Sequence, residues 1–407
     1  MNLSREQKSA AFILFIVLVV AVVVVKIALS LVRDPVAENL KKDQVVKVLF
    51  VIRDDAGSAL CSDVFLFYPD SKKGAVIDVP GNTGAIWGSL GRVDRIDTIY
   101  RERGMQTYLG EIEDLLGLEI PFSISIGETA FGRMVDFLGG LSVFIQAPVD
   151  KDDGHGERWL LPSGAVNLDG EKLRDYMEYL LDYEDEAARD ERRLSAFTAF
   201  LLALKNRRSD VLEKDSFPYY AACMESNVDA DGLYELLNVI TDFDSNYLTT
   251  QSILGSERLV DGQKLIFPFL NGQLVKDVVK QKLRMLIARD SQDSRRVYVI
   301  EVLNGTYQQG LARNASILLD NAGYNILQVG NADRMDYEHT VIINHIGNEE
   351  AAKALGDFIS CYNIITEEID LDDEGDEDVD FTLVLGNDWD GRYVRGGFGK
   401  EEAEANE

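Results

Sequence analysis

One apolar run near the start of the chain constrains its fold more than any other feature. Residues 10–32 contain a single charged side chain, Lys26. A helix of this length rises about 35 Å, which is enough to cross the roughly 30 Å hydrocarbon core of a bilayer. A cleavable signal peptide is the alternative, but Arg33, Asp34 and Pro35 follow the run where such a peptide has small residues at its cleavage site. We therefore predict an uncleaved transmembrane anchor over residues 10–32.

The charges beside this anchor predict its orientation. Arg5, Lys8 and the amino terminus outweigh Glu6 on the short N-terminal side, which favours a cytoplasmic location for residues 1–9. Basic residues also follow the anchor, at Arg33, Lys41 and Lys42. We expect a single-pass protein of the cell membrane in which everything beyond about residue 35 is extracytoplasmic.

The composition excludes several classes of protein. With 41 Lys and Arg against 70 Asp and Glu, the formal net charge is −29, so the chain lacks the basic surface by which proteins bind nucleic acid. Three histidines and three cysteines are too few and too scattered for a His or Cys metal cluster. The cysteines are expected to be buried as small hydrophobic residues rather than joined in disulfides. A hydrophobic fraction of 46% is sufficient for two or three domains with their own cores.

A first folded domain is predicted over residues 46–289, after a polar stalk at residues 33–45. Apolar runs and period-two patterns predict strands, and helical periodicity predicts helices between them. The predicted strands are 47–53, 64–68, 75–79, 122–126 and 141–146, and the predicted helices include 93–103, 106–116, 128–138, 231–241 and 271–289. Strands that alternate with helices indicate an α/β or α+β sheet with helices packed on its faces.

A smaller α/β domain is predicted over residues 297–390, after a polar linker at residues 290–296. Its predicted strands are 297–303, 324–329, 340–346 and 381–386, and its predicted helices are 311–322 and 349–361. The acidic run 367–380 is expected to be a solvated loop rather than a calcium site, because it lacks the ligand order of an EF-hand. Residues 391–407 are expected to form a disordered tail.

The tightest cluster of arginines lies within residues 161–208, where the pattern predicts a turn followed by two helices. Leu194, Phe197, Leu201 and Leu204 form one apolar face of the second helix. Arg189 and Arg192 are three residues apart, so their guanidinium groups can bind one anion such as pyrophosphate. The alternative is a solvated, salt-bridged helix face, because acidic residues surround the arginines. Those neighbours are Glu184, Asp185, Glu186, Asp190 and Glu191.

The order of several motifs resembles the LytR-CpsA-Psr family with its LytR-type C-terminal domain. In the first domain the similar segments are CSDVFLFY (61–68), DVPGNTGAI (78–86), VDRIDTIYRERGM (93–105), FGRMVDFLGGLSVFI (131–145), LDGEKLRDYMEYL (168–180) and EAARDERR (186–193). In the second, VLNGTYQQGLARNASILLDNAGYNILQVGNA is similar to the family's V-x-N-G-T motif and its continuation. The resemblance covers roughly residues 45–390. It implies an α/β (α+β) fold with an LCP-like central sheet flanked by helices, a small C-terminal α/β domain and one N-terminal transmembrane helix.

The resemblance also implies a function. Members of this family are membrane-anchored extracytoplasmic enzymes that transfer glycopolymers from a polyprenyl-pyrophosphate carrier to peptidoglycan. Arginines bind the pyrophosphate, acidic residues hold Mg²⁺ and a hydrophobic pocket takes the prenyl chain. Arg95, Arg189 and Arg192 stand at matching positions and are expected to bind substrate, with Arg189 and Arg192 catalytic. Arg193, which stands where the family motif has a glutamine, is also expected to bind substrate. Asp63 and Glu186 are expected to be metal ligands.

The sequence departs from the family pattern at several of these positions. The Pro-Arg-Asp motif is replaced by Pro80, Gly81 and Asn82, and two further arginines are replaced by Glu178 and Leu180. A carboxylate in a pyrophosphate site repels the ligand, so we expect a glycopolymer phosphotransferase with weakened activity. The alternative is a non-catalytic scaffold of the same fold that binds a polyprenyl lipid or another envelope component. A transcriptional regulator is disfavoured by the acidic charge and the absence of a DNA-binding motif.

Overall fold

The computed structural model describes residues 35–145, 148–152, 158–180, 186–253, 255–287, 298–321, 324–366 and 379–396. The anchor predicted over residues 10–32 lies outside these ranges. Within them, every helix is too short or too polar to traverse a bilayer. The described chain separates into two compact units. The first contains the residues up to Phe50 and Pro121–Phe243, and the second contains Val51–Ile120 and the residues from Asp244 onward.

The first unit alternates helices and short strands, as the sequence predicts. Its helices are α1 (Pro35–Leu40), α4 (Glu128–Phe137), α5 (Gly170–Glu178), α6 (Glu186–Asn206), α7 (Arg208–Val211), α8 (Phe217–Ala221) and α9 (Ala230–Ile240). Its strands are β1 (Val46–Arg53, which continues into the second unit), β6 (Phe122–Gly127), β7 (Leu141–Ile145), β8 (Val149–Asp152), β9 (Arg158–Leu161), β10 (Gly164–Leu168) and β11 (Glu225–Ser226). The strand order is β11-β6-β1, and β7–β10 and β8–β9 are separate antiparallel pairs.

The core of this unit forms around the apolar face predicted on α6. Phe197 contacts Phe50 of β1 at 5.2 Å between ring centroids, and Phe200 contacts Phe131 of α4 at 5.0 Å. Helices α4 and α5 cross where neither has a side chain, since a Cβ at Gly170 would lie 2.1 Å from the carbonyl oxygen of Gly132. Helix α5 also contacts α6.

The segment predicted as a stalk contains α1, whose Val36 is buried. This helix packs against α9, and a Cβ at Gly232 of α9 would lie 3.0 Å from Pro35 Cγ. The polar residues around Val36 give little helical signal over only six residues. Part of the predicted stalk is therefore folded onto α9.

The second unit begins with a sheet region in the order β1-β2-β3-β12. Its further elements are β2 (Ala59–Tyr68), β3 (Lys73–Asp78), β4 (Gly84–Trp87), β5 (Arg92–Arg95), α2 (Ile96–Arg103), α3 (Met105–Leu116), β12 (Leu248–Ser252), β13 (Gly255–Val260), β14 (Gln263–Pro268) and α10 (Gln273–Ile287). Strands β2 and β3 are antiparallel, whereas β12 runs parallel to β3. The helix predicted from residue 93 is wrong in its first turn, because Arg92–Arg95 pair with β4 and the helix begins at Ile96.

The C-terminal part of this unit confirms the predicted α/β alternation. Its elements are β15 (Val299–Asn304), α11 (Leu311–Asn321), β16 (Asn325–Asn331), β17 (Val341–Asn344), α12 (Glu349–Ile359), β18 (Ile364–Thr366) and β19 (Phe381–Leu385). The sheet order is β16-β15-β19-β17-β18. Its core includes Leu274 and Val278 of α10, a helix that the sequence places in the preceding domain. Strand β18 has only three residues, too few for a recognisable period-two pattern in the sequence.

Candidate functional site

The buried arginines of α6 bind the carbonyl end of α5. Arg192 donates Nε to the Tyr176 carbonyl at 3.3 Å and Nη2 to the Tyr179 carbonyl at 2.5 Å. The last carbonyls of a helix have no partner within the helix, and they carry the negative end of its dipole. Arg192 therefore acts as a cationic cap of α5. The structure gives its guanidinium a role in the fold that spacing alone did not reveal.

Arg193 binds the same helix end. Its Nε donates to the Met177 carbonyl at 3.1 Å, and its Nη1 lies 3.5 Å from Asp190 Oδ1. The side chain is buried, as is that of Arg192. The two neighbouring arginines thus satisfy three carbonyls, those of Tyr176, Met177 and Tyr179, at the point where α5 ends.

Arg189 differs from both of these arginines. Its Nη2 donates to Glu186 Oε1 at 3.1 Å, and its side chain remains 24% exposed. Its Nε is buried and meets no acceptor within the part of the chain that the structure describes. A buried N–H without an acceptor costs free energy, so an incoming anion could gain by binding it. Among the arginines predicted to bind substrate, Arg189 has the arrangement most open to a ligand.

Glu186 forms an ion pair with Arg189. One turn of helix separates the two residues, and both side chains are about one quarter exposed. A carboxylate in this position neutralises the arginine when no ligand is bound. The prediction that Glu186 binds metal stays a prediction, and its observed partner is Arg189.

In the second unit, Asp63 of β2 lies directly opposite Asp78 of β3 in the antiparallel register. Both carboxylates are buried. Residues opposite each other in such a pair have Cβ atoms about 4.5–5.5 Å apart, so two ionised carboxylates there repel unless a cation or a donor is shared. The sequence predicts a role for Asp63 but gives no sign of Asp78, because the pairing depends on the strand register.

Arg95 lies at the end of β5 and binds Asp97 in the first turn of α2. Its Nη2 donates to Asp97 Oδ2 at 2.7 Å, and its Nε contacts both carboxylate oxygens at 3.0–3.1 Å. Gly81 lies against the same carboxylate, since a Cβ there would meet Asp97 Oδ2 at 2.6 Å. The family's arginine at this position could not be accommodated without moving Asp97. The absence of a side chain at Gly81 therefore leaves the space in which Asp97 pairs with Arg95.

A buried tyrosine completes this carboxylate region. The Tyr108 hydroxyl lies 2.7 Å from Ser62 Oγ, beside Asp63 in sequence. Burial raises the pKa of Tyr108 well above its usual range, although the bond to Ser62 opposes the shift, and the charges of Asp97 and Asp78 raise it further. The phenol is therefore neutral at every physiological pH and serves as a hydrogen-bonding group near these carboxylates.

The carboxylates of this region are candidate ligands for Mg²⁺. Within the described ranges, no group of three or more His, Cys, Asp or Glu side chains could hold a metal ion. Mg²⁺ usually takes one or two carboxylates and completes its shell with water and phosphate oxygens. Asp63 and Asp78 meet that smaller requirement, because they are two carboxylates opposite each other on adjacent strands.

An apolar groove lies elsewhere in the second unit, between β3, β12 and α10. Its cavity volume is about 20 Å³, roughly enough for one water molecule, and it is lined mainly by aliphatic side chains. These include Ile77, Ile253, Val275 and Val279. A groove of this size lies well below the range for ligand pockets.

Two protein-family models match this chain. The LytR_cpsA_psr family model matches residues 72–282, and the LytR_C model, described as LytR cell envelope-related transcriptional attenuator, matches residues 297–389. The chain is 20% identical over 334 residues to the cell wall biosynthesis protein LcpA of Corynebacterium glutamicum. That match covers 75% of this chain and 59% of LcpA, so the chain spans well under two thirds of that relative.

Two solved structures are similar in fold. TagV of Bacillus subtilis is 18% identical, with a TM-score of 0.50 over 59% of this chain and 97% of TagV. The protein gbs0355 of Streptococcus agalactiae is 16% identical, with a TM-score of 0.52 over 60% of this chain and 89% of that protein. At these identities the likeness concerns the fold alone. The family model covers more than half of the sequence, and the chain therefore belongs to the LytR_cpsA_psr family.

Proposed function

We propose that this chain is a membrane-anchored, extracytoplasmic protein of the cell envelope that binds a polyprenyl-pyrophosphate lipid or the glycopolymer linked to it. Transfer of the glycopolymer to peptidoglycan is weakened. Family membership and the match to a cell wall biosynthesis protein support the envelope role. The proposed orientation is cytoplasmic for residues 1–9, with the chain beyond the anchor outside. Protease added to intact spheroplasts should then digest the C-terminal domain, and protection of that domain would contradict the orientation.

Arg189 is the observation that carries this proposal. Its guanidinium has one carboxylate partner, one buried N–H with no acceptor in the described chain, and partial access to solvent. A phosphate oxygen can accept a hydrogen bond from that N–H and compete with Glu186 for the other N–H groups of the guanidinium. We expect Arg189 to bind the phosphate of the carrier lipid.

Mg²⁺ is proposed as the cofactor, with Asp63 and Asp78 as the residues that would hold it. When bound, the ion would neutralise charge on phosphate oxygens. The residues themselves would contribute two buried carboxylates on adjacent strands, fixed by backbone pairing rather than by flexible loops.

The departures from the family pattern favour a second candidate function. Arg192 and Arg193 are engaged by backbone carbonyls, and Glu178 and Leu180 stand where the family has arginines. Fewer cations therefore remain for the developing charge of a phosphoryl transfer. A non-catalytic scaffold would retain lipid binding and lack turnover.

The decisive experiment uses the full chain in nanodiscs with undecaprenyl pyrophosphate as the probe. Arg189→Ala should weaken binding at least about tenfold, because a charge-assisted hydrogen bond is worth roughly 1.5–3 kcal/mol. Arg207→Ala is a matched control, since Arg207 forms a similar one-turn ion pair, with Asp210 at 3.2 Å, and is more exposed. Equal affinity of wild type and Arg189→Ala would contradict the proposed role. Release of polyprenyl phosphate from a linked glycopolymer separates the weak enzyme from the scaffold.

A further inference from the structure

Strand β16 forms one edge of the five-stranded C-terminal sheet. It pairs with β15 on one side, and the sheet order places no described strand on its other side. Five of its seven residues are exposed. An edge strand of this kind carries backbone N–H and C=O groups that can pair with a further strand.

This edge lacks the charges that usually protect such strands. Residues 321–332 contain no Asp, Glu, Lys, Arg or Pro, although charged residues make up 27% of the chain and about three would be expected among these twelve positions. Lysine or proline on an edge normally prevents pairing between copies of a protein. Strand β16 has one other protection, a register shift against β15. We therefore expect its pairing to be reversible.

The exposed apolar side chains of β16 flank a glutamine. Leu327 is 52% exposed and Val329 is 45% exposed, one on either side of Gln328. The register shift makes Leu327 an extra residue, with no counterpart on β15 in the described pairing. These two apolar side chains would lose contact with water if another apolar strand lay beside them.

The strand is complementary to its own reversed sequence. It reads NILQVGN forwards and NGVQLIN backwards. In an antiparallel pair of two copies centred on Gln328, apolar residues face apolar residues or glycine, and amides face amides. The facing residues are Leu327 with Val329, Asn325 with Asn331, Ile326 with Gly330, and Gln328 with itself.

We propose that two copies of this chain associate through β16, paired antiparallel about a two-fold axis at Gln328. Each copy has a formal net charge of −29, so copies repel over most of their surface and approach most easily at an uncharged edge. The interface uses the same strand on both copies and is therefore closed. The opposite edge, β18, has only three residues and offers little for further extension. This association does not depend on the proposed function.

Gln328→Cys in the full chain, held in detergent micelles, tests the register. Residue 328 lies opposite itself in the proposed pair, with Cα atoms roughly 4.5–5.5 Å apart, so mild oxidation should link two copies by a disulfide. Asn325→Cys is the matched control on the same strand, because its two copies lie about 20 Å apart. Linking should be at least about tenfold faster at position 328. The native cysteines are buried, and unsubstituted protein gives the background.

A mixture of two variants tests the direction of pairing. Asn325→Cys mixed with Asn331→Cys should form linked dimers, although neither variant does so alone, because these positions face each other only in the antiparallel arrangement. A parallel pair would place each position opposite itself. Rapid linking of Asn325→Cys alone would therefore overturn the proposal.

Charge at the two-fold axis tests the interface itself. Gln328→Lys in both partners of that mixture should slow linking at least about tenfold, because two ammonium groups then face each other. Gln328→Lys in one partner with Gln328→Glu in the other should restore it. Gln309→Lys, at an exposed glutamine outside β16, is the control and should change little. Equal linking at positions 328 and 325, or linking that Gln328→Lys leaves unchanged, would rule out the β16 pair.

Discussion

Arg192 lies over the ring of Tyr179, with its guanidinium carbon 3.9 Å from the ring centroid, and donates to the carbonyl of the same residue. Tyr179 follows the last helical residue of α5 and is itself buried. The family pattern has arginines on either side of this tyrosine, and here Glu178 and Leu180 take their places. In this chain Arg192 therefore stabilises the end of α5 against α6.

Arg192→Ala should destabilise the first unit by roughly 3 kcal/mol, through the loss of charged hydrogen bonds and a cation–π contact. Arg189→Ala should cost less than about 1 kcal/mol, because its ion pair with Glu186 is partly exposed. Urea unfolding of both variants, followed by fluorescence, measures the difference. Equal midpoints for the two variants would contradict the assignment of separate roles.

Gly170→Ala should destabilise the α4–α5 crossing by at least about 2 kcal/mol, because the added Cβ has no room beside the Gly132 carbonyl. Gly110→Ala is the control. Gly110 lies inside α3 with no atom within 4 Å of an added Cβ, so alanine there should stabilise the chain by about 0.5–1 kcal/mol. Thermal unfolding of the pair should shift in opposite directions. A Gly170→Ala variant with unchanged thermal stability would show that α4 and α5 can move apart without a loss of free energy.

The sequence was sufficient for elements with a strong period and insufficient for contacts that depend on register. The apolar face of α6 and the alternation from β15 to β19 were predicted because burial repeats along each element. The sequence does not predict that Asp63 lies opposite Asp78, because this depends on how β2 pairs with β3. The turn between those strands includes Lys72 with a φ of 57°, a conformation that a lysine in the sequence does not predict.

The β13–β14 hairpin shows a signal that was present and was missed. Its turn is Asp261-Gly262, both with positive φ, which is the residue pair favoured in two-residue hairpin loops. The roles of the arginines had no such signal. Arg192 and Arg193 bind carbonyls that lie 13–16 residues earlier in the chain, and any residue supplies a carbonyl. Spacing along α6 therefore could not separate a ligand site from a helix cap.

Lys282→Met should raise the urea midpoint at neutral pH. Burial lowers the pKa of Lys282, so the unfolded chain binds this proton more strongly than the folded chain does. The protonated side chain consequently opposes folding at every pH below its folded pKa, and the penalty fades as the pH rises through that value towards the unfolded one. The stability gap between variant and wild type should be larger at pH 7 than at pH 10. A gap that widens with pH would reverse the assigned sign.

Helix α10 should be required for full stability of the C-terminal α/β region. Leu274 and Val278 are buried in the same core as Ile300 and Phe381. Asp277 forms an ion pair with Arg392, and Gln281 lies 3.5 Å from the Tyr324 hydroxyl. A fragment of residues 297–396, which begins at the predicted domain boundary, would leave this part of the core open to water.

Two fragments test that requirement, one of residues 297–396 and one of residues 273–396. The longer fragment should be more stable by roughly 3 kcal/mol, since complete burial of a leucine or valine side chain is worth about 1.5–3 kcal/mol and the unfolded fragment already buries part of that surface. Leu274→Ala with Val278→Ala in the longer fragment should remove most of the gain. Lys280→Ala, on an exposed position of the same helix, is the control and should change little. Identical urea midpoints for the two fragments would show that the core closes without α10 and that the domain begins where the sequence alone places it.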